Sequence, residues 1–234
     1  MTNMLIAIDG PAGVGKTSTA QALAARLGIP ALDTGAMYRA VAYAVMSRGV
    51  AVNDGDALNS LLKRLNFAFA QGADGERCWI DGEDVTAKLR TPDVTAMVSA
   101  VCEVPEVRAH LLTLQRQWAA RGFGVMEGRD IGTVVLPNAG LKIYMTARPE
   151  VRAQRRGHEL GLDDDPKALE KLAGELRGRD QRDAKRREAP MKPAADAVTL
   201  DASDLTFDEQ VDFIVRLAAE RFDLKTYQVA TLAG

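Results

Sequence analysis

The chain has 234 residues, of which 47% are hydrophobic and 26% are charged, a composition that predicts a globular protein with one sizeable core. The formal net charge of −2 at pH 7 excludes a global basic field, so we expect no binding to a nucleic-acid polymer. No apolar run is long enough to span a membrane, and the first predicted strand begins too early for a signal peptide. Cys78 and Cys102 lack CxxC spacing, so we expect reduced thiols in a cytoplasmic protein.

The first predicted strand, at 4–8, leads into a phosphate-binding loop. Gly10–Thr17 reads GPAGVGKT and matches the pattern G-x-x-x-x-G-K-[ST], and an Ala-rich segment without helix breakers follows from Thr19. Glycines let the backbone wrap an anion closely, and the N-terminus of the following helix adds partial positive charge. Lys16 is predicted to reach the outer phosphates, and the Thr17 hydroxyl to ligate Mg²⁺. The predicted nucleotide-binding residues are Gly10, Pro11, Ala12, Gly13, Val14, Gly15, Lys16, Thr17 and Ser18.

Strands and helices alternate along most of the chain after this loop. The core strands are predicted at 4–8, 31–33, 123–126, 141–146 and 197–200. Further helices are predicted at 36–48, 54–64, 105–121, 148–159, 167–187 and 208–223. This alternation predicts an α/β fold, in which a five-stranded parallel sheet carries helices on both faces.

The middle of the chain departs from this pattern and predicts a small antiparallel insert. Residues alternate in polarity at 65–70 and 77–80, and Asp81-Gly82 is a strong tight-turn signal before a third segment at 83–86. Pro92 then opens a helix. The predicted division is a core of 1–62, 106–147 and 188–223, an insert of 63–105, an Arg-rich lid region of 148–187 and a loosely held tail of 224–234.

Two predicted helices in the lid region carry arginines at helical spacing. One face holds Arg152, Arg155 and Arg156, and another holds Arg179, Arg182, Asp183 and Arg186. The planar guanidinium suits phosphate oxygens, so two such helices joined by an acidic turn would form a lid that closes over a phosphoryl donor and excludes water. The alternative is a solvated face stabilised by ion pairs such as Glu175–Arg179.

Polar residues also follow the predicted strands. Asp33 would either hold waters on Mg²⁺ or cap the following helix, and both roles stay open. Thr34, Tyr38 and Arg39 are expected at the carboxyl edge of the sheet, where ligands bind in parallel sheets. The adjacent Arg129–Asp130 is either a structural ion pair or part of the same site. The chain contains no Asn-Lys-x-Asp motif, which weighs against a GTPase.

Five segments, taken together, resemble the bacterial cytidylate kinases, P-loop proteins of the nucleoside monophosphate kinase family. They are GPAGVGKT at 10–17, DTGAMYR at 33–39, GEDVT at 82–86, EGRDIGTVV at 127–135 and RDQRD at 179–183. The resemblance runs from about residue 4 to about residue 215. It implies the P-loop nucleoside-monophosphate-kinase fold, with a core, a helical lid and an insert that binds the monophosphate. It also implies ATP- and Mg²⁺-dependent phosphorylation of CMP and dCMP.

The resemblance assigns roles to individual residues. It places Ser99, Arg108 and Asp130 at cytosine, and Tyr38 and Asp183 at the sugar. It places Arg39, Arg129 and Arg186 at the acceptor phosphate, and Arg179 and Arg182 at lid-helix positions near the phosphates. Thr34 joins the substrate-binding set by its position, and the predicted catalytic residues are Lys16, Arg129, Arg179, Arg182 and Arg186. The family usually has Asn where this chain has Lys185, so helical spacing alone favours Arg186 over Arg187.

Two alternatives remain beside this function. One is a different small-molecule or nucleotide kinase with UMP or AMP as acceptor, and the other is a non-catalytic nucleotide sensor. The intact Lys16 and Thr17 argue against the sensor. The expected partners are small nucleotides, and the chain lacks a heptad pattern, so we expect a monomer.

Overall fold

The computed structural model describes residues 4–72, 75–162 and 164–224. Its strands are β1 (Met4–Asp9), β2 (Ala31–Asp33), β3 (Phe67–Gly72), β4 (Gly75–Ile80), β5 (Glu83–Asp84), β6 (Phe123–Gly128), β7 (Leu141–Thr146) and β8 (Val198–Asp201). Its α-helices are α1 (Lys16–Leu27), α2 (Thr34–Ser47), α3 (Gly55–Arg64), α4 (Pro92–Glu103), α5 (Pro105–Ala119), α6 (Pro149–Glu159), α7 (Pro166–Lys185) and α8 (Phe207–Arg221). A 3₁₀ helix at Thr86–Arg90 and a π-helical turn at Ile131–Val135 were not anticipated from the sequence.

A five-stranded sheet runs in the order β2-β6-β1-β7-β8 and confirms the predicted α/β fold. The first strand pairs in parallel with β6 on one side and β7 on the other, and β7 pairs in parallel with β8. Every residue of β1 is buried, as expected for a central strand covered on both faces. Strands that are distant in sequence therefore become neighbours, and their carboxyl ends share one edge.

The chain divides into two compact units, and the first comprises 1–31 and 122–234. Its core contains fully buried side chains from the central strand, α1, β7 and α8, such as Ile6, Leu23, Ile143 and Ile214. The last helix begins at a capping box, in which Thr206 and Glu209 satisfy each other's backbone N–H groups. This cap fixes the start of α8 at Phe207, close to the predicted start.

The second unit comprises 32–121 and contains α2 to α5 with a three-stranded sheet in the order β3-β4-β5. The strands pair antiparallel, as predicted, and Asp81 and Gly82 have φ angles of 53° and 86° at the tight turn between β4 and β5. This unit extends beyond the predicted insert of 63–105 because α2 packs against α4 and α5. The functional division into core, insert and lid stays a prediction.

Some predicted segments include residues that lie outside the described part of the chain. Residues 225–234 of the predicted tail, 73–74 before β4 and 163 of the acidic turn lie outside the described residues. Within the described residues, no helix combines the length and apolar character needed to cross a membrane. Cys78 in β4 and Cys102 in α4 are both buried, and their reduced state stays a prediction.

Candidate active site

The predicted phosphate-binding loop joins the end of the central strand to the start of α1. At Gly10 the backbone has φ +147°, and an added Cβ would lie 2.2 Å from the Met145 carbonyl oxygen of β7, so the close approach of the two segments requires glycine. Gly15 precedes the helix with φ +97°. Amide groups at a helix N-terminus are suited to an anion, and this local geometry agrees with the predicted nucleotide-binding segment.

Cationic side chains surround the loop and donate to its carbonyl oxygens. The buried Lys16 ammonium donates to the Pro11 carbonyl at 2.8 Å. Two arginines of α6 bind neighbouring carbonyls: Arg152 donates to Ala12 at 3.0 Å and Arg155 donates to Val14 at 3.1 Å. The sequence pattern placed both arginines on a face meant for phosphate oxygens, whereas in the structure these hydrogen bonds go to backbone.

Thr17 contacts an acidic residue that the sequence analysis quoted within a motif but did not assign to the site. Its hydroxyl donates to Oε1 of Glu127 at 2.6 Å, and Glu127 is buried near the end of β6. A hydroxyl and a carboxylate are hard oxygen ligands, which suit Mg²⁺. The described residues contain no group of three or more His, Cys, Asp or Glu able to hold a metal alone. The pair therefore fits an ion that takes its other ligands from nucleotide phosphates and water.

Asp33, the other predicted metal residue, caps a helix in the second unit. Its Oδ1 accepts a hydrogen bond from the Ala36 backbone N–H at 3.1 Å, which satisfies one of the free amides at the start of α2. The capping role, one of the two that the sequence left open, is therefore observed. Its role in holding Mg²⁺ stays a prediction.

A buried carboxylate near the end of α7 holds two of the predicted phosphate-binding arginines. Nε of Arg129 donates to Oδ2 of Asp183 at 3.0 Å, and Arg186 donates to Oδ1. Burial opposes the charge of Arg129, but the nearby carboxylates of Asp183 and then Glu127 outweigh it, so the pKa of the guanidinium is raised. Arg186 lies just beyond the helix end, where the backbone leaves the helical conformation. The two hydrogen bonds to Asp183 hold both side chains in place, and the nearby carboxylates favour the charged form of Arg129.

The other two predicted arginines of this helix differ in exposure. Arg179 is half-buried and Arg182 is exposed. Arg182 is therefore on the solvent side of α7 in this conformation, whereas Asp183, the next residue, is buried. Helical spacing identified candidates, but it did not distinguish a buried residue from an exposed one. The roles of Arg179 and Arg182 at the phosphates stay predictions.

Another buried carboxylate, which was not identified from the sequence, precedes the loop. Asp9 accepts hydrogen bonds from the backbone N–H groups of Ile131 and Gly132, both at 2.7 Å. Burial raises the pKa of Asp9 to about 6, the two N–H groups oppose this rise, and the charge of Asp130 adds to it. An aspartate at the end of an otherwise apolar strand was the available signal. Asp9 thereby holds the turn that follows the predicted site residues Arg129 and Asp130.

The remaining predicted substrate residues lie in the second unit. Arg39 donates to Oγ1 of Thr95 at 3.0 Å and to the Leu89 carbonyl at 3.3 Å. The guanidinium of Arg108 lies 5.9 Å from the ring centroid of Tyr38, a cation–π contact. Thr34 is buried in the first turn of α2, and Ser99 is half-buried in α4. Within this unit the structure thus brings Tyr38 and Arg108 together.

Comparisons with known sequences agree with this arrangement. The family described as cytidylate kinase matches residues 6–220 of the chain. A cytidylate kinase of an Exiguobacterium species is 44% identical over 218 residues, covering 93% of this chain and 97% of that protein. A cytidylate kinase of Mycobacterium avium is 43% identical over 226 residues, covering 95% and 98% respectively.

Two further similarities extend the comparison. A bifunctional pantoate ligase/cytidylate kinase of a Synechococcus species is 45% identical over 216 residues. The aligned region covers 91% of this chain but 40% of that longer protein. The crystal structure of an uncharacterized protein from Eubacterium ventriosum superimposes with a TM-score of 0.52 at 16% identity, covering 94% of this chain and 99% of that chain, a likeness of fold alone. The family match and the relatives show that the chain belongs to the cytidylate kinase family.

Proposed function

We propose that the protein transfers the γ-phosphoryl group of ATP to the phosphate of CMP or dCMP, which yields ADP and CDP or dCDP. Membership of the cytidylate kinase family supports this assignment. The observation that carries it is the buried carboxylate of Asp183, which holds Arg129 and Arg186 beside each other in the unit that contains the phosphate-binding loop. Such a pair suits an acceptor that carries a phosphate group.

The reaction needs little covalent help from the protein. An oxygen of the acceptor phosphate forms the new bond to the γ-phosphorus, and the bond from that phosphorus to the β-bridging oxygen breaks, leaving its electron pair on ADP. The attacking oxygen is already anionic, so no strong general base is needed. The protein's contribution is to hold two polyanions in line and to neutralise their charge, the task proposed for Lys16 and for Arg129, Arg179, Arg182 and Arg186.

Magnesium is the proposed metal cofactor. Thr17 and Glu127 are the residues that would hold it, since they present adjacent oxygen donors near the loop. When bound, the ion neutralises charge on the phosphates of the donor. The chain itself would contribute Lys16 and the loop amides at the donor phosphates, and Glu127 orients the Thr17 hydroxyl.

Thr34, Tyr38, Arg39, Ser99 and Arg108 are proposed to contribute to recognition of the acceptor. Asp130 and Asp183 are proposed to contribute as well, with Asp183 at the sugar. The Tyr38–Arg108 contact supports a shared role for these two side chains at the nucleoside. We further propose a cytoplasmic monomer, for which the lack of CxxC spacing between the two buried cysteines gives support on location.

A panel of acceptors tests this function. ADP formation from ATP–Mg²⁺ is measured with CMP, dCMP, UMP and AMP in turn. Turnover that depends on CMP or dCMP and is far slower with UMP and AMP is expected. Preferred turnover of UMP or AMP would assign another kinase activity, and ATP binding without acceptor-dependent ADP formation would favour a nucleotide sensor.

A further inference from the structure

Two arginines of α6 donate to carbonyls of the loop, and each also binds a carbonyl elsewhere. Arg155 donates through one terminal nitrogen to the Val14 carbonyl at 3.1 Å and through the other to the Ala202 carbonyl at 2.6 Å. Arg152 donates to the Ala12 carbonyl at 3.0 Å and, through Nε, to the Ala147 carbonyl at 3.1 Å. Each guanidinium therefore links a loop carbonyl to a carbonyl that directly follows a strand of the central sheet, Ala147 after β7 or Ala202 after β8.

One largely buried ion pair binds both backbone polar groups of Ala12. Its N–H donates to Oδ1 of Asp180 at 3.0 Å, while its carbonyl accepts from Arg152, and these two side chains form an ion pair with each other. The Arg152 side chain is 6% exposed and that of Asp180 is 15% exposed. Water competes little for such contacts, so the position of Ala12 is closely defined.

Peptide geometry transmits these contacts to the loop amides. Because a trans peptide is planar, its C=O and N–H point in opposite directions, and no cis peptide occurs among the described residues. A fixed Ala12 carbonyl therefore fixes the direction of the Gly13 N–H, and a fixed Val14 carbonyl fixes that of the Gly15 N–H. Both glycines have positive φ, at 73° and 97°, and glycine is the residue with most freedom to leave such a conformation.

We infer that Arg152 and Arg155 are positioning residues, which orient the Gly13 and Gly15 amides toward the phosphates of the donor nucleotide. The inference rests on the proposed function, since it assumes that the loop binds those phosphates. Arginine suits this task because its fork reaches two carbonyls at once. The arginines then act on phosphate affinity through the backbone, in contrast to the direct role that the sequence pattern predicted for this helix face.

Replacement of Arg155 by Met tests the inference. This change removes the bonds to two carbonyls, whereas Arg152→Met would also leave the Asp180 carboxylate buried without its cation. Amide resonances are recorded for the nucleotide-free protein, and affinities for ATP, inorganic tripolyphosphate and adenosine are measured by calorimetry. Arg26→Met is the matched control, because it removes an arginine that pairs with exposed Asp208 and Asp212.

In the Arg155→Met protein, the Gly15 amide resonance shifts or broadens before any ligand is added. Affinity for ATP and for tripolyphosphate falls about 10- to 100-fold, the effect of losing a charge-assisted hydrogen bond that orders the loop, while affinity for adenosine is unchanged. The affinities of Arg155→Lys for ATP and tripolyphosphate lie between those of the unaltered protein and Arg155→Met. The reason is that an ammonium group reaches one carbonyl but lacks the planar fork that reaches two. Arg26→Met binds all three ligands as the unaltered protein does.

The outcomes separate this inference from the proposed function. Failure of the unaltered protein to bind ATP would overturn both. Unchanged affinities in Arg155→Met would overturn the positioning role alone. A weaker tripolyphosphate affinity with an unchanged Gly15 resonance would mean direct contact with phosphate, which also overturns it. Should Arg155→Met unfold, Arg155→Lys carries the comparison, and full affinity with an unshifted Gly15 resonance in that variant would overturn the inference.

Discussion

The buried carboxyl group of Asp9 is expected to make the folded protein less stable as the pH rises through the pKa of this group. Its pKa is raised from 3.8 to about 6, chiefly by burial, although the Gly132 and Ile131 N–H groups and the charge of Lys16 oppose the rise. The rise is about 2 pKa units, which corresponds to ~3 kcal/mol. Asp9→Asn is the informative change, because asparagine keeps the shape of the side chain and does not titrate.

The direction of this pH dependence follows from the difference in proton binding between the folded and the unfolded state. At pH values between 3.8 and about 6 the folded state keeps the proton of Asp9 while the unfolded state has lost it, so the unfolding free energy falls as pH rises through this window. About 2 kcal/mol of this loss falls between about pH 4 and about pH 7.5. The amide side chain introduced by Asp9→Asn accepts one N–H and faces the other with a donor, a roughly constant cost of ~1 kcal/mol that does not depend on pH.

Denaturant unfolding of the nucleotide-free protein and of Asp9→Asn, at several pH values in this range, measures the effect. Carboxylates with lowered pKa, such as Asp81 and Asp196, titrate alike in both proteins and cancel in the difference. The unfolding free energy of the unaltered protein, relative to the variant, is expected to fall by about 2 kcal/mol with rising pH. A rise with pH would refute the reasoning, since it would mean that the two N–H groups stabilise the carboxylate more than burial penalises it.

Three further substitutions test the proposed site. Lys16→Ala is expected to abolish turnover while the protein still folds, because it removes the cation proposed to bind the donor phosphates. Steady-state kinetics measure the turnover and a thermal unfolding scan checks the fold. A near-normal kcat would contradict the proposed role of Lys16. Asp183→Ala leaves Arg129 and Arg186 without the carboxylate that holds them. It is expected to lower kcat/KM for CMP and for dCMP to different extents, as steady-state kinetics with each acceptor would measure. Equal losses for the two acceptors would count against contact between Asp183 and the sugar. Glu127→Gln keeps an acceptor for the Thr17 hydroxyl but loses the charge, so the Mg²⁺ concentration for half-maximal rate is expected to rise about 10-fold; an unchanged Mg²⁺ titration would argue that Glu127 only orients Thr17.

Local signals in the sequence predicted the elements of this fold well. The loop at 10–17, the turn at Asp81-Gly82 and the prolines that open α4 and α5 all act over a few residues, and the structure places each where the pattern indicated. The π-helical turn after Asp130 was missed, because its backbone is held by Asp9, 122 residues away in sequence from Ile131. A feature that depends on so distant a partner leaves no local pattern.

The sequence by itself determined which segments form strands and which family the chain resembles, and it identified a candidate phosphate-binding loop, since these follow from residue types at fixed spacing. Only the tertiary structure decided what the charged side chains touch. It paired Thr17 with Glu127 across 110 residues, and it directed Arg152 and Arg155 to loop carbonyls. The reason is the order of the sheet, which makes neighbours of strands that are far apart in the chain and buries the carboxylates between them. The spacing of residues in the sequence predicts which side chains share one face of a helix, whereas the order of the strands decides which residues that face contacts.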